Sequence, residues 1–209
     1  MSSRDDILGA VRSAKPGLDA PAPTVPNYDD NYPQERAGLV DLFAERLTMM
    51  GGSWHALGDG QSIGDAVQQA LAEKLGKPFA DAVIASNVPE VAGNRTLTHS
   101  DDPATVHDVD IAVLRARFGV AETGSVAFTE AELTVNAIAY LAQHLVVLID
   151  PAEIVTNLHR AYQRDDFVNA HYTVFHTGPS ATADIEGVLV RGAQGVRSLT
   201  VIPAPTTPA

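Results

Sequence analysis

The chain has 209 residues, 45% of them hydrophobic, which is enough for one sizeable core and short for two domains. Its formal net charge is −12, and no segment concentrates Lys and Arg, which argues against nucleic-acid binding and against adhesion to an anionic membrane. The lack of cysteine excludes disulfides, thiolate nucleophiles, zinc–thiolate sites and Cys-ligated iron–sulfur clusters within these residues.

Met1 to Asp6 shows no basic segment followed by an apolar run, so no signal peptide is expected. No apolar run approaches the ~20 residues of a membrane helix, and a cytoplasmic protein is the expectation. Residues 5–15 read as a short helix with Ile7, Leu8 and Val11 on one face. Pro16, Pro21, Pro23, Pro26 and Pro33 then forbid a helix, so residues 1–34 read as a helix plus a proline-rich arm. That arm either packs along the body or a neighbouring subunit, or is disordered; a homo-oligomer stays open.

The α/β body is expected over residues 35–203, with a flexible tail at 204–209. Leu39, Val40, Phe43 and Leu47 form a helical stripe that Gly51-Gly52 ends. Residues 54–57 suit a short strand. Ser62 and Asp65 have cap spacing before a helix that Gly76 closes. Residues 82–85 suit a buried strand. Residues 86–108 are turn-rich and irregular, as functional loops often are. Strands are expected near 109–114, 124–128, 145–149, 171–176 and 199–202. The unbroken apolar run 145–149 suits a strand covered on both faces. Asp150-Pro151-Ala152-Glu153 predicts a helix start, with Ile154, Val155, Leu158, Ala161 and Tyr162 as its buried face. This alternation predicts α/β architecture with a mostly parallel sheet covered by helices. Ligands in such sheets sit at the carboxyl ends of strands.

Two segments carry candidate chemistry. Gly178-Pro179-Ser180-Ala181-Thr182-Ala183-Asp184-Ile185-Glu186 reads as a strand end, a tight turn and a helix start. Backbone N–H groups at such a junction suit an anion. In Ala121-Glu122-Thr123-Gly124-Ser125, Glu122 is placed to act as a general base or nucleophile. The competing reading is a turn in which Glu122 or Thr123 hydrogen-bonds nearby backbone, and spacing alone favours it. His99, Asp101, Asp102, His107, Asp108 and Asp110 form a local acid–imidazole cluster without a recognisable ligand pattern, so no metal is expected. Phosphate-loop, dinucleotide and nucleophile-elbow fingerprints are absent, and no cofactor is expected.

These two segments, together with Gly192-Ala193-Gln194-Gly195, resemble the LUD-domain family of lactate-utilisation proteins. The similarity extends over most of residues 35–203. It implies a fold similar to ribose-phosphate isomerases and CoA transferases. It also implies a role in bacterial L-lactate oxidation to pyruvate, as a non-redox subunit or accessory protein beside iron–sulfur subunits. On this resemblance the expected site is Glu122 as catalytic residue, with Thr123, Gly124, Gly178, Pro179, Ser180, Thr182, Ala183, Asp184 and Gln194 around a small anionic metabolite. Three positions depart from the family pattern. A Leu-Leu-Pro-x-x-His segment reads Tyr140-Leu141-Ala142-Gln143-His144, a histidine is replaced by Gln194, and a basic residue by Ala181. Gln194 cannot shuttle a proton at neutral pH. Whether the chain is an enzyme is left open. The alternatives are an isomerase- or CoA-transferase-like enzyme acting on a small phosphate or acyl substrate, and a metabolite-binding module.

Overall fold

In the computed structural model, the described residues are 3–14, 24, 26–99 and 101–206. Helix α1 (Ser3–Ala14) forms but buries no residue, and Ile7 and Val11 face outward. Pro16, Pro21 and Pro23 of the expected arm lie outside the described residues, as do residues 207–209. Helix α2 (Arg36–Met49) buries Leu39, Phe43 and Leu47. Strand β1 (Ser53–Trp54) is shorter than expected. Helix α3 (Ile63–Leu71) starts on the Ser62 cap, whose side chain accepts the Asp65 N–H at 3.1 Å, and stops at Leu71, short of Gly76.

Strands β2 (Ile84–Ser86), β3 (Ile111–Arg115), β4 (Phe118–Val120) and β5 (Ser125–Thr129) follow. Helix α4 (Glu130–Leu133) opens on a capping box between Thr129 and Glu132, and α5 (Ile138–Leu141) leads into β6 (His144–Ile149). Then come β7 (Ile154–Val155), α6 (Leu158–Ala161), α7 (Asp165–Asn169), β8 (Thr173–His176), β9 (Ala181–Thr182), β10 (Val190–Arg191) and β11 (Ser198–Pro203).

The main sheet has five strands in the order β1-β11-β6-β3-β2, all paired in parallel. All of β6 is buried, as its apolar run predicts. Its alternate residues face opposite layers. Leu145, Val147 and Ile149 share a core with Phe43 and Leu47 of α2. Val146 and Leu148 share one with Val67 and Leu71 of α3. Helices therefore cover both faces, and the mostly parallel α/β expectation holds. A second, four-stranded sheet has the order β7-β4-β5-β8, with β5 antiparallel to both neighbours and β7 parallel to β4.

Two expectations are corrected. The helix expected from Asp150 is only a 3-10 turn, Pro151–Glu153. Asp150 does cap it, accepting the Ala152 N–H at 2.9 Å. Ile154 and Val155 then pair with Gly119 and Val120 as a strand, and helix resumes only after the Asn157 cap. β-branched side chains suit that pairing better than a helix. The second correction is at 178–186, where no helix begins. Ala181 and Thr182 enter a hairpin with β10, closed by Glu186 and Gly187 at φ +53° and +69°. The Val188 N–H donates to Ile185 O at 3.0 Å, which completes a tight hairpin turn with two left-handed residues. The strand before the motif, β8, lies at the edge of the mixed sheet and not among the parallel strands.

Candidate functional site

The turn between β4 and β5 ends at Gly124, with φ +67°. A Cβ there would fall 2.2 Å from the Leu47 backbone nitrogen. Gly178, at φ +98°, would place a Cβ 2.5 Å from the Met50 carbonyl oxygen. Only glycine accepts both the conformation and the contact. The two glycine motifs thus close on the same structure, the carboxyl end of α2.

A chain of hydroxyls joins them. Thr123 Oγ1 lies 2.7 Å from Ser125 Oγ, and Ser125 Oγ lies 2.6 Å from Thr177 Oγ1. Ser125 is buried.

Glu122 is held at both oxygens. One accepts the Tyr32 hydroxyl at 2.7 Å, and the other accepts the Leu158 N–H at 2.9 Å. Its own N–H donates to Thr156 O at 3.0 Å. The bond to Glu122, with burial second, raises the Tyr32 phenol above its ordinary pKa. Tyr32 belongs to the arm, whose described part lies along the body. Tyr28 stacks on His159 with ring centroids 4.7 Å apart, and Asp29 pairs with Arg160 and accepts from Asn157 Nδ2 at 3.0 Å. The Arg160 guanidinium is the main reason the Asp29 carboxyl sits below the usual range.

Two open spaces flank the end of β8. A cleft of about 530 Å³ has Arg46, Met50, Glu122, Thr123, Phe175 and Thr177 in its walls. A hollow of about 260 Å³ is bounded by Tyr140, His176, Gly178, Pro179, Ser180 and Gln194. Phe175 and Thr177 border both. Glu122 and the 178–180 turn therefore occupy neighbouring spaces.

The hollow differs from the anion cradle that the sequence suggests. The Ser180 N–H donates to Val196 O at 2.9 Å, and its hydroxyl donates to Gln194 O at 3.2 Å. Thr182, Ala183 and Asp184 sit on the hairpin and line neither space; the Thr182 hydroxyl accepts the Asp184 N–H at 3.2 Å. Gly124 shapes the cleft by its contact with α2 and is not in its wall. His176 has a buried Nε2 with no partner among the described residues, and burial pushes its pKa down to about 4. Its ring lies 5.1 Å from that of Tyr140 and 5.8 Å from that of Phe128. Burial raises the Tyr140 phenol, whose hydroxyl lies 2.7 Å from that of Tyr172.

Other candidates are occupied by local pairing. At the carboxyl end of the parallel strands, a cleft of about 430 Å³ holds Arg115, Arg117 and Arg164. These pair with Glu90, with Glu132, and with Glu153 and Asp166. In the acid–imidazole cluster, Asp108 pairs with Arg95, Asp110 with Lys77, Asp101 accepts the Thr98 N–H, and Asp102 caps a 3-10 turn. Among the described residues no group of three His, Cys, Asp or Glu could hold a metal ion. His144 begins β6 at its amino end, with Nδ1 2.8 Å from Ser198 Oγ. No helix among the described residues is long and apolar enough to cross a membrane.

Arg46, Met50, Tyr32 and His176 are the site residues that sequence reasoning missed. Arg46 and Met50 lie at the end of an apolar stripe and were legible only as helix, while Tyr32 sits in an arm read as a linker.

Residues 103–202 match the family model of the LUD domain, a span that includes both glycine motifs. Among curated proteins no relative matches the sequence. Among solved structures, the chain is similar to a DUF162 family protein from Deinococcus radiodurans. The two share 16% identity over 82% of this chain and 99% of the other, with a TM-score of 0.58, a likeness of fold. Residues 103–202, just under half of the chain, are thus similar to the LUD domain.

Proposed function

We propose that this chain is a non-redox subunit or accessory protein of bacterial L-lactate utilisation that binds a small organic anion in the cleft beside α2. One observation carries the reading: both signature turns fall within the LUD match and both close on one helix end, next to an open cleft. With no cysteine in the sequence, Cys-ligated iron–sulfur clusters would belong to partner subunits of a lactate-oxidising complex. The cytoplasm is the proposed compartment. Deleting the gene should impair growth on L-lactate, and complementation should restore it. Unimpaired growth, with no paralogue to compensate, would sink this reading.

A second reading, an isomerase- or CoA-transferase-like enzyme, draws on the place of Glu122 in the cleft wall. A general base must reach the proton it takes. Here the carboxylate already accepts from Tyr32 and from the Leu158 backbone, which favours a role in fixing the arm to the turn. If Glu122 is catalytic, Glu122→Gln abolishes turnover of a small acyl or phosphate substrate with the fold intact.

A further inference from the structure

We propose that the 530 Å³ cleft takes an amphipathic organic anion, a carboxylate carrying an apolar body several carbons long, with Arg46 fixing the anionic end. This rests on the ligand-binding reading above and names the ligand class for the same cleft.

Arg46 lies in the last turns of α2 and is half-buried. Among the described residues its hydrogen bond goes to the Met49 sulfur at 3.3 Å, and no carboxylate lies within ion-pair distance. Arg95, Arg115, Arg117, Arg160 and Arg164 all pair with carboxylates. In a chain of net charge −12, a half-buried guanidinium without an acid is conspicuous. The carboxylate in the same wall, Glu122, is held by Tyr32 and the Leu158 N–H instead. Part of the Arg46 charge offsets the carboxyl end of α2. Its planar fork still offers N–H donors that a ligand carboxylate can take in pairs.

The hydroxyl chain points to the same end. Thr123, Ser125 and Thr177 each carry one O–H, and two hydrogen bonds join the three. One O–H is left to donate outside the chain, and all three residues line the cleft.

The rest of the wall is apolar. Met49, Met50, Leu158, Tyr162 and Phe175 supply it, with Met49, Met50 and Tyr162 largely exposed. Methionine side chains adapt to irregular apolar shapes. An apolar cleft with a few convergent polar groups is the usual form of an organic-ligand site. A three-carbon hydroxy acid would leave the methionine wall uncovered.

The sequence contains three methionines, Met1, Met49 and Met50, so methyl-13C methionine NMR of the full chain reads the cleft directly. On titration with octanoate, the Met49 and Met50 signals should shift saturably. Affinity should rise about threefold to fourfold per methylene from butanoate to octanoate. Octan-1-ol, L-lactate and inorganic phosphate should each bind at least tenfold more weakly. Arg46→Gln should weaken octanoate at least tenfold and leave octan-1-ol unchanged, while Arg46→Lys, which keeps the charge but loses the paired donors, should fall between the two. Octanoate binding unaltered in Arg46→Gln, no shift of either methionine, or octan-1-ol, lactate or phosphate binding as tightly as octanoate would each overturn the assignment. Should Arg46→Gln fail to fold, the wild-type comparison of octanoate with octan-1-ol decides. Loss of lactate growth on deletion, without octanoate binding, would remove this ligand class and leave the lactate role standing.

Discussion

The hydroxyls of Ser125 and Thr177 lie 2.6 Å apart, and this bond ties the two glycine-bearing turns together beneath the cleft. Ser125 is 3% exposed, so little water can replace the bond. Ser125→Ala is expected to cost about 1–3 kcal/mol, the usual range for leaving a partner unsatisfied in a buried setting. Thr177→Val should couple to it by about 1 kcal/mol in a double-mutant cycle read by urea denaturation. Strict additivity would mean that the bond does not link the turns.

Gly124 tests the contact with α2 separately from backbone conformation. Gly124→Ala forces a Cβ to 2.2 Å from the Leu47 nitrogen at φ +67°. Gly60 has nearly the same φ, +70°, with nothing within 4 Å of a built Cβ. Gly60→Ala should therefore cost only the conformational part, about 1 kcal/mol. Gly124→Ala should cost about 2–4 kcal/mol, because overpacking against backbone adds to it. Equal losses at the two positions would show that the approach to α2 is not tight.

Local signals explain which features were legible in the sequence. The Ser62 cap and the 145–149 run depend on neighbours in sequence, and both appear as expected. The Asp150 cap is also real, but it opens a single 3-10 turn and no helix. Gly119 leaves a slot where an added Cβ would meet Ile149 at 2.6 Å, Phe43 at 3.0 Å and Ile154 at 3.3 Å, and Ile154 reaches this shared slot as part of a strand. That pairing is set by a residue distant in sequence. The 178–186 segment turns on both local and distant contacts. Its cap residues bond to Gln194 and Asp184, and the left-handed pair Glu186-Gly187 turns the chain into a hairpin. Gly178, Pro179, Ser180 and Gln194 border one hollow. Composition and spacing gave no means of pairing Tyr32 with Glu122, because the contact spans ninety residues of chain.

That contact anchors the arm. Tyr32→Phe removes the hydrogen bond to the Glu122 carboxylate and should cost about 1 kcal/mol, less than a fully buried charged bond because Tyr32 is part-exposed. Amides near residues 29–32 should then exchange faster with solvent. Glu122→Gln removes the charge that raises the Tyr32 phenol, so its pKa should fall towards the ordinary 10. Selective 13C labelling of the tyrosine rings follows that titration. A Tyr32 pKa indifferent to Glu122→Gln would place the phenol elsewhere in solution.

His176 should make the fold sensitive to mild acid. Burial holds its native pKa at about 4, against 6.5 in the unfolded chain. Above pH 6.5 both states carry neutral imidazole, and the group adds no pH dependence. As pH falls from about 6.5 to 4 the unfolded chain takes up a proton that the native state refuses, so stability falls. The loss reaches about 2 kcal/mol at pH 5 and up to about 3 kcal/mol near pH 4. Lowered carboxylates such as Asp110 and Asp150 act in the same direction, but mainly as pH falls through the unfolded carboxylate's range at about 4 and below it. His144, also lowered by burial, contributes to the wild type and to any His176 variant alike. The difference between wild type and His176→Phe therefore isolates this ring. From pH 7.5 to pH 5, measured by urea denaturation, the wild type should lose about 2 kcal/mol more than the variant. Parallel losses would mean that His176 is protonated in the folded protein, and that the hollow beside Gly178 and Ser180 admits water to its Nε2.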